Sequence, residues 1–307
     1  MKIRRTGTLL LSLALALLAN GCAAVTAAPR VEPLRVMTFN IRVDLASDGD
    51  NAWPNRKEIA ASMIRFHGAD LVGLQEALPG QLADLESLLP HFGRVGVGRG
   101  SDLLDEASAI LYRAARFELL EHDTFWLSET PAVRGSLGWD AHYPRIVTWG
   151  KFRDLESGRV FVHFNTHFDH AGAVARRESA LLLRREIGRI AGELPFVATG
   201  DFNATPDSEP YRILTADPRL RDAHAVSRCP HHGPSGSWNA FRAIEPGRRI
   251  DFIFVSPDLE VLEHAALSDT FDGRFPSDHL PVIAVVGIGG RARQDSPCET
   301  LTVEPRP

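Results

Sequence analysis

Residues 197–210 read VATGDFNATPDSEP, and the way this stretch ends decides what surrounds it. An apolar run able to fill a core stops at Thr199-Gly200, and the chain then sets Asp201 and Asn203 two residues apart, ahead of Pro206 and Pro210. A strand that delivers an acid and an amide to its tip calls for something there to receive them. Working outward, the same ending recurs. VMTFN stops at Asn40, LVGLQE at Glu76 and FVHFNTH at His167, RIDFIFV carries Asp251 near its start, and FPSDHLPV places Asp278 and His279 just before a strand. Six apolar strands thus each meet a carboxylate, amide or imidazole near one end, the way a rigid sheet presents a site on its loops. Singly, each has a structural explanation: an Asx after a strand forms a turn or caps a helix, Glu76 could cap the helix that follows, and a lone histidine fills core or surface. The conjunction is what those explanations leave over.

Between these tracts the text alternates. Residues 34–40 read as a strand, 54–67 as a helix with Ile59, Met63 and Ala60, Ile64, His67 at helical spacing, and 69–76 as a buried strand. A helix is predicted near 81–89, strands near 107–112, 117–121, 146–152 and 159–166, and the longest helix over 173–191, where Leu181, Leu182, Leu183, Ile187 and Ile190 give a broad apolar face. After Asp201 come a short helix at 209–215, a Gly-, Pro- and His-rich loop at 229–247, and strands at 250–255 and 281–286. Adjacent strands with interspersed helices predict one α+β domain over residues 34–290, two stacked sheets with helices outside, after a tether at 23–33 and before a tail at 291–307.

The bulk numbers suit that reading: 307 residues, 44% hydrophobic and 24% charged, are enough for a large core. At the start, Lys2, Arg4 and Arg5 precede an apolar run from Leu9 to Ala19 and then Cys22, a secretory signal over residues 1–22 that is too short for a comfortable membrane span. Leu18-Ala19-Asn20-Gly21-Cys22 resembles a bacterial lipoprotein cleavage site, although Ala19 stands where that pattern prefers leucine. Two readings follow: an exported, periplasmic or outer-surface protein tethered to a membrane through lipidated Cys22, or cleavage near residues 24–28 to release a soluble exported protein. Without residues 1–22 the chain keeps 31 Lys+Arg against 39 Asp+Glu, a net charge near −8 and the opposite of what tight binding to long nucleic acid usually requires. Cys229 and Cys298 would gain roughly 2–5 kcal/mol by pairing, and the sequence leaves open whether they meet. Nothing calls for an obligate protein partner.

An oxygen-rich set of Asn, Glu and Asp suits a hard divalent cation such as Mg²⁺ or Mn²⁺, whereas zinc draws more nitrogen and sulfur. Beside such an ion a histidine can stabilise phosphate charge or act as an acid, and an aspartate can orient or deprotonate water. Taken in order, VMTFNIR, GLQE, FWLSETP, GSLGWDAHYPRIVTW, NTHFDH, GDFNATP, RIDFIFVS and SDHLPV resemble the endonuclease/exonuclease/phosphatase superfamily. That resemblance implies a four-layer α/β/β/α sandwich with two stacked, mostly antiparallel sheets, and metal-dependent hydrolysis of a phosphoester, a phosphodiester by preference. It places Asn40, Glu76 and Asp278 at the metal. Asp201 would orient or deprotonate the attacking water, Asn203 would hold a phosphate oxygen, His279 would contact the phosphate with Asp251 fixing its orientation, and His167 and Arg145 would add an imidazole and a cation. Nucleic acid, a lipid headgroup or a sugar phosphate all fit as substrate. Where some nucleases of the superfamily carry a further acid, this chain has Arg42, so one metal is the minimum expected and Arg42 is free to assist with the anion.

Other readings compete. His167, Asp169 and His170 mimic the zinc loop of metallo-β-lactamase-like hydrolases, but Asn165 stands where that loop wants another histidine. A catalytically inactive binding lipoprotein would be expected to lack a ligand or base, and every position here is filled by a competent residue. His231 and His232, close to Cys229, read as decoration of a loop rather than a metal site. Trp149 reads as core, whereas Trp139, Tyr143 and Trp238 fall in loops able to wall a pocket.

Overall fold

Alternate residues of the strands face different layers, which is why so many of them read as unbroken apolar runs. In the computed structural model, which describes residues 33–288 and Cys298, β1 (Leu34–Asn40) turns Leu34 and Val36 into a core between two sheets and Met37 and Phe39 into a second core under helices. A strand covered on both faces has no polar face to show. The remaining elements follow as α1 (Lys57–Phe66), β2 (Leu71–Gln75), α2 (Pro79–Leu88), β3 (Phe92–Val95), β4 (Ile110–Arg113), β5 (Phe117–Trp126), β6 (Ile146–Asp154), β7 (Val160–His167), α3 (Ala173–Ala191) and β8 (Phe196–Asp201). After these come α4 (Glu209–Thr215), β9 (Arg221–Asp222), α5 (Ala223–Val226), β10 (Asp251–Val255), β11 (Leu259–Ala266) and β12 (Val282–Ile288).

Two six-stranded sheets result, in the orders β11-β12-β1-β2-β4-β3 and β5-β6-β7-β8-β10-β9. Each has one parallel pair, β1 with β2 and β7 with β8, among otherwise antiparallel neighbours. Helices α1 and α2 bury Ala60, Met63, Ile64, Leu82 and Leu85 against the first sheet, and α3 and α4 bury Leu183, Ile187 and Leu214 against the second. The four layers expected of an α+β sandwich are all present.

The departures have local causes. The first helix starts at Lys57 because Pro54 lies in a preceding 3-10 turn, Trp53–Asn55. Strand β11 escapes pattern reading because LEVLEHAA alternates poorly, with a register shift between Val261 and Glu263 on a sheet edge. The short strands β3 and β9 carry too few residues to show a period. Cys229 and Cys298 do pair, with Cα atoms 5.7 Å apart. The leader with Cys22, the tether up to residue 32, and the tail other than Cys298 lie outside the described residues.

Between the sheets, just below their polar ends, the filling is polar. Asn165 Nδ2 donates to the carbonyls of Leu74 and Ala109 at 2.8 and 2.9 Å, and Gln75 Nε2 donates to Asn165 Oδ1 at 2.7 Å. Gly73 makes room for this crossing: a Cβ there would collide with Thr199 Oγ1 and Asn165 Oδ1.

Candidate active site

Strand register gathers the polar tips. His167 lies opposite Asp201 across the parallel β7–β8 pair, and Asp201 opposite Asp251 across the antiparallel β8–β10 pair. Asn40, last residue of β1, joins the two sheets: its Nδ2 donates to Glu76 Oε1 at 3.0 Å and to Asp201 Oδ2 at 3.1 Å. Glu76 sits in the left-handed region at φ 62° and Asn203 at φ 46°, strain of about 1–3 kcal/mol apiece that clusters at functional sites. Glu76 Oε2 accepts the Val43 N–H at 2.9 Å, while Asp201 Oδ1 accepts the Asn203 N–H at 2.9 Å. Asn203 Nδ2 donates to the Phe168 carbonyl at 3.0 Å and to His167 Nε2 at 3.1 Å.

Asp201 Oδ2 is flanked by two imidazoles, His167 Nε2 at 3.4 Å and His279 Nε2 at 3.7 Å. The far nitrogen of His279, Nδ1, donates to Asp251 Oδ2 at 2.9 Å, and Ser237 Oγ donates to the same oxygen at 2.6 Å. Environment drives the two histidines apart. Burial, then the Arg145 and Arg99 charges, holds His167 well below its ordinary value; at His279 burial acts the same way, but Asp251 and Asp201 outweigh it and raise the imidazole well above. Burial pushes Asp201 up to about 7, against the pull of His279. A neutral and a charged imidazole on either side of one carboxylate is the separation that acid–base chemistry needs.

Asp201, Asp251 and His279 bring three ligand atoms within 4.8 Å of one another, yet both nitrogens of the charged His279 face carboxylates, so its imidazole offers no lone pair to a cation. The all-oxygen set is Asn40, Glu76 and Asp278. Burial raises the Asp278 carboxyl, His279 lowers it, and the Glu76 charge raises it again. Two carboxylates close enough to feel each other's charge, opposed by His279 and by Arg42 Nη1 at 3.9 Å from Asp278, fit a hard divalent ion. Arg42 itself is committed to Asp48 at 3.0 and 3.2 Å, so it is not the free anion contact the sequence suggested.

Arg145 is buried, its Nε donating to Asp169 Oδ2 at 3.3 Å and an Nη lying 3.1 Å from His170 Nδ1. It lines a narrow cleft with Glu76, His167, Arg99 and Glu106. Asp169 also accepts the N–H groups of Ala171 and Gly172, and Asn165 is spent between the sheets, so the zinc-loop arrangement is not formed. Contacts and a shared cleft link Asn40, Glu76, Arg145, His167, Asp201, Asn203, Asp251 and His279 into one cluster, and Asp278 adjoins it as the chain neighbour of His279. Four further residues were missed. Arg99 donates to Glu106 Oε1 at 2.7 Å and stacks 4.6 Å over Tyr143, and burial pushes Glu106 up to about 7. Ser237 braces Asp251, and Arg56 Nη1 clips the Ile41 carbonyl to that of Pro276 at 2.8 and 2.9 Å. Of the loop aromatics, Trp238 pairs by backbone with His279 and Tyr143 is exposed beside Arg99, whereas Trp139 packs on the core under α3.

Residues 37–279 match the family model described as Endonuclease/Exonuclease/phosphatase family. An endonuclease/exonuclease/phosphatase from Bacteroides vulgatus is 39% identical, covers 83% of this chain and 99% of its own, and superposes with a TM-score of 0.80. A protein named mannosyl-6-phosphatase from Bacteroides thetaiotaomicron is 36% identical, with 83% and 99% covered and a TM-score of 0.78. Among curated relatives, an uncharacterised protein of Acanthamoeba polyphaga mimivirus is 29% identical over 165 residues, 49% of this chain and 59% of that protein. The chain spans less than two thirds of the length of the curated relatives it matches.

Proposed function

The chain belongs to the endonuclease/exonuclease/phosphatase family, and on that premise we propose that it hydrolyses a phosphoester by direct attack of water on phosphorus, with Mg²⁺ or Mn²⁺. The observation that carries this reading is Asp201 set between His167 and His279, with Asp251 bracing the latter at 2.9 Å. Asp201 takes the proton of the attacking water. The His279 imidazolium, kept charged by Asp251, stabilises negative charge on the phosphate, and the Asn203 amide holds a phosphate oxygen by releasing neutral His167, whose Nε2 it otherwise meets at 3.1 Å. Arg145 faces the same cleft as a fixed cation, its geometry set by Asp169 and His170. A divalent ion held by Asn40, Glu76 and Asp278 would supply further charge neutralisation.

A phosphodiester is our first reading of the substrate, given the loops that wall the cleft. The likeness to a protein named mannosyl-6-phosphatase supports a second, a sugar phosphomonoester. We also propose that the protein is exported, and that Cys22 tethers it to a membrane; the leader pattern supports this. Turnover of bis-p-nitrophenyl phosphate, p-nitrophenyl phosphate and mannose 6-phosphate, each with Mg²⁺ and with Mn²⁺, separates the substrate readings. A preference for the first supports the diester and for the last the sugar monoester; inertness toward all three would sink the hydrolytic reading.

A further inference from the structure

Away from the catalytic cleft, three histidines from three segments meet where the edges of the two sheets approach each other. His224 stands on α5, directly after the edge strand β9 of the second sheet; His264 lies on β11, the edge strand of the first; His231 comes from the loop between them. Their ring centroids are 4.7, 5.0 and 5.3 Å apart. His231 Nδ1 and His264 Nδ1 are 2.9 Å apart, and the other nitrogen of His231, Nε2, lies 2.9 Å from the Pro234 carbonyl. A carbonyl only accepts, so Nε2 carries the proton and Nδ1 presents a lone pair toward His264. Metal-ligating imidazoles are held in this manner, by an outer hydrogen bond that fixes the tautomer. The loop is itself pinned: His232 N–H donates to the His264 carbonyl, Ala266 N–H to the His232 carbonyl, both at 3.0 Å, and the Cys229–Cys298 bridge lies two residues before His231. Burial, and then His231, holds His264 down at about 3, the neutral state a ligand must have. Nearby Asp222 is occupied by Tyr211 Oη at 2.9 Å, Arg249 at 2.8 Å and the His224 N–H at 3.0 Å, which leaves the imidazoles as the donors.

We propose that His224, His231 and His264 form a binding site for a late first-row divalent cation, zinc or copper in class, that ties the two sheet edges together. Imidazoles bound about 2 Å from one tetrahedral ion have centroids roughly 5 Å apart, as these do, and a fourth position is left for water. An all-nitrogen set selects zinc or copper over the Mg²⁺ or Mn²⁺ suited to the cleft. Among the described residues only Asp201, Asp251 and His279 already bring three ligand atoms within 4.8 Å, so the His224 ring has to turn about its χ angles to join the two nitrogens that have met. The site stands independently of the hydrolytic reading.

The test uses the full chain, stripped with a chelator and titrated with Zn²⁺ against a competing indicator, with thermal unfolding followed in parallel. We expect one equivalent to bind and to raise the unfolding temperature. His231→Gln and His264→Gln should each weaken that equivalent by at least about 100-fold, and Glu76→Gln should leave it in place. Phosphoester turnover of His231→Gln should match that of the parent protein. If His264→Gln fails to fold, His231→Gln decides, because its side chain lies on a half-exposed loop. The proposal is overturned if no zinc is held, in which case the two Nδ1 atoms merely share a proton. It is equally overturned if His231→Gln binds zinc as tightly as the parent, or if Glu76→Gln abolishes binding.

Discussion

Replacing Asp251 with Asn removes a charge and almost no volume. Asp251 Oδ2 accepts from His279 Nδ1 at 2.9 Å and from Ser237 Oγ at 2.6 Å, all three residues being buried. An amide oxygen can still take a hydrogen bond there, so the fold should survive. It cannot compensate an imidazolium, and burial, then opposed only by Asp201 and Asp278, shifts His279 toward its neutral form. Losing the charged partner should lower kcat by about 10²–10⁴, which at 1.36 kcal/mol for each factor of ten is about 2.7–5.4 kcal/mol of barrier. KM should change little, because the braced imidazolium is needed most where charge develops. The assay is steady-state hydrolysis of bis-p-nitrophenyl phosphate, with thermal unfolding as the control for folding. Ser237→Ala keeps the charge and removes only the hydroxyl, so its loss should be smaller. An Asp251→Asn enzyme within about tenfold of the parent rate, or a Ser237→Ala enzyme more impaired than it, would refute the reasoning.

Two further predictions concern stability. Gly73→Ala drives a methyl into Thr199 and Asn165 where the sheets cross below the site, so it should lower the unfolding free energy by about 1–3 kcal/mol in a urea titration; an unchanged midpoint would contradict the packing described. His163 is fully buried and is held at about 3 by that burial, whereas an unfolded histidine titrates near 6.5. Below about pH 6.5 the unfolded chain therefore binds more protons than the folded one, and stability falls as pH drops toward 3 by up to about 1.4 kcal/mol per pH unit. His163→Gln should flatten that slope, and identical slopes in the two proteins would count against a neutral buried imidazole.

The layered fold was legible because β1, β2, β7, β8, β10 and β12 are covered on both faces and read as apolar runs. Their polar tips stood out for the same reason: Asn40, Glu76, His167 and Asp201 interrupt strands that have no other use for polarity. What escaped notice was recruited across long stretches of chain. Ser237 reaches Asp251 from a loop whose composition signals only turns, and Arg99 meets Arg145 through the packing of a segment that lacks periodicity altogether. Arg42 was misread because its partner Asp48 lies in an irregular turn that no pattern reveals. The nearness of His231 to His224 and His264 is likewise invisible in the sequence, because those two come from a helix and a strand that local sequence does not connect to its loop.

The account rests on Asp201 as the group that activates water beside a divalent ion. Rates of phosphoester cleavage by the parent protein and Asp201→Asn, each titrated with Mg²⁺ and Mn²⁺ from a metal-free start, test it most directly. The parent should gain activity with added ion and the variant should stay at least about 10²-fold slower at saturation while remaining folded. Cleavage that is indifferent to both ions, or a variant that keeps pace with the parent, would contradict it.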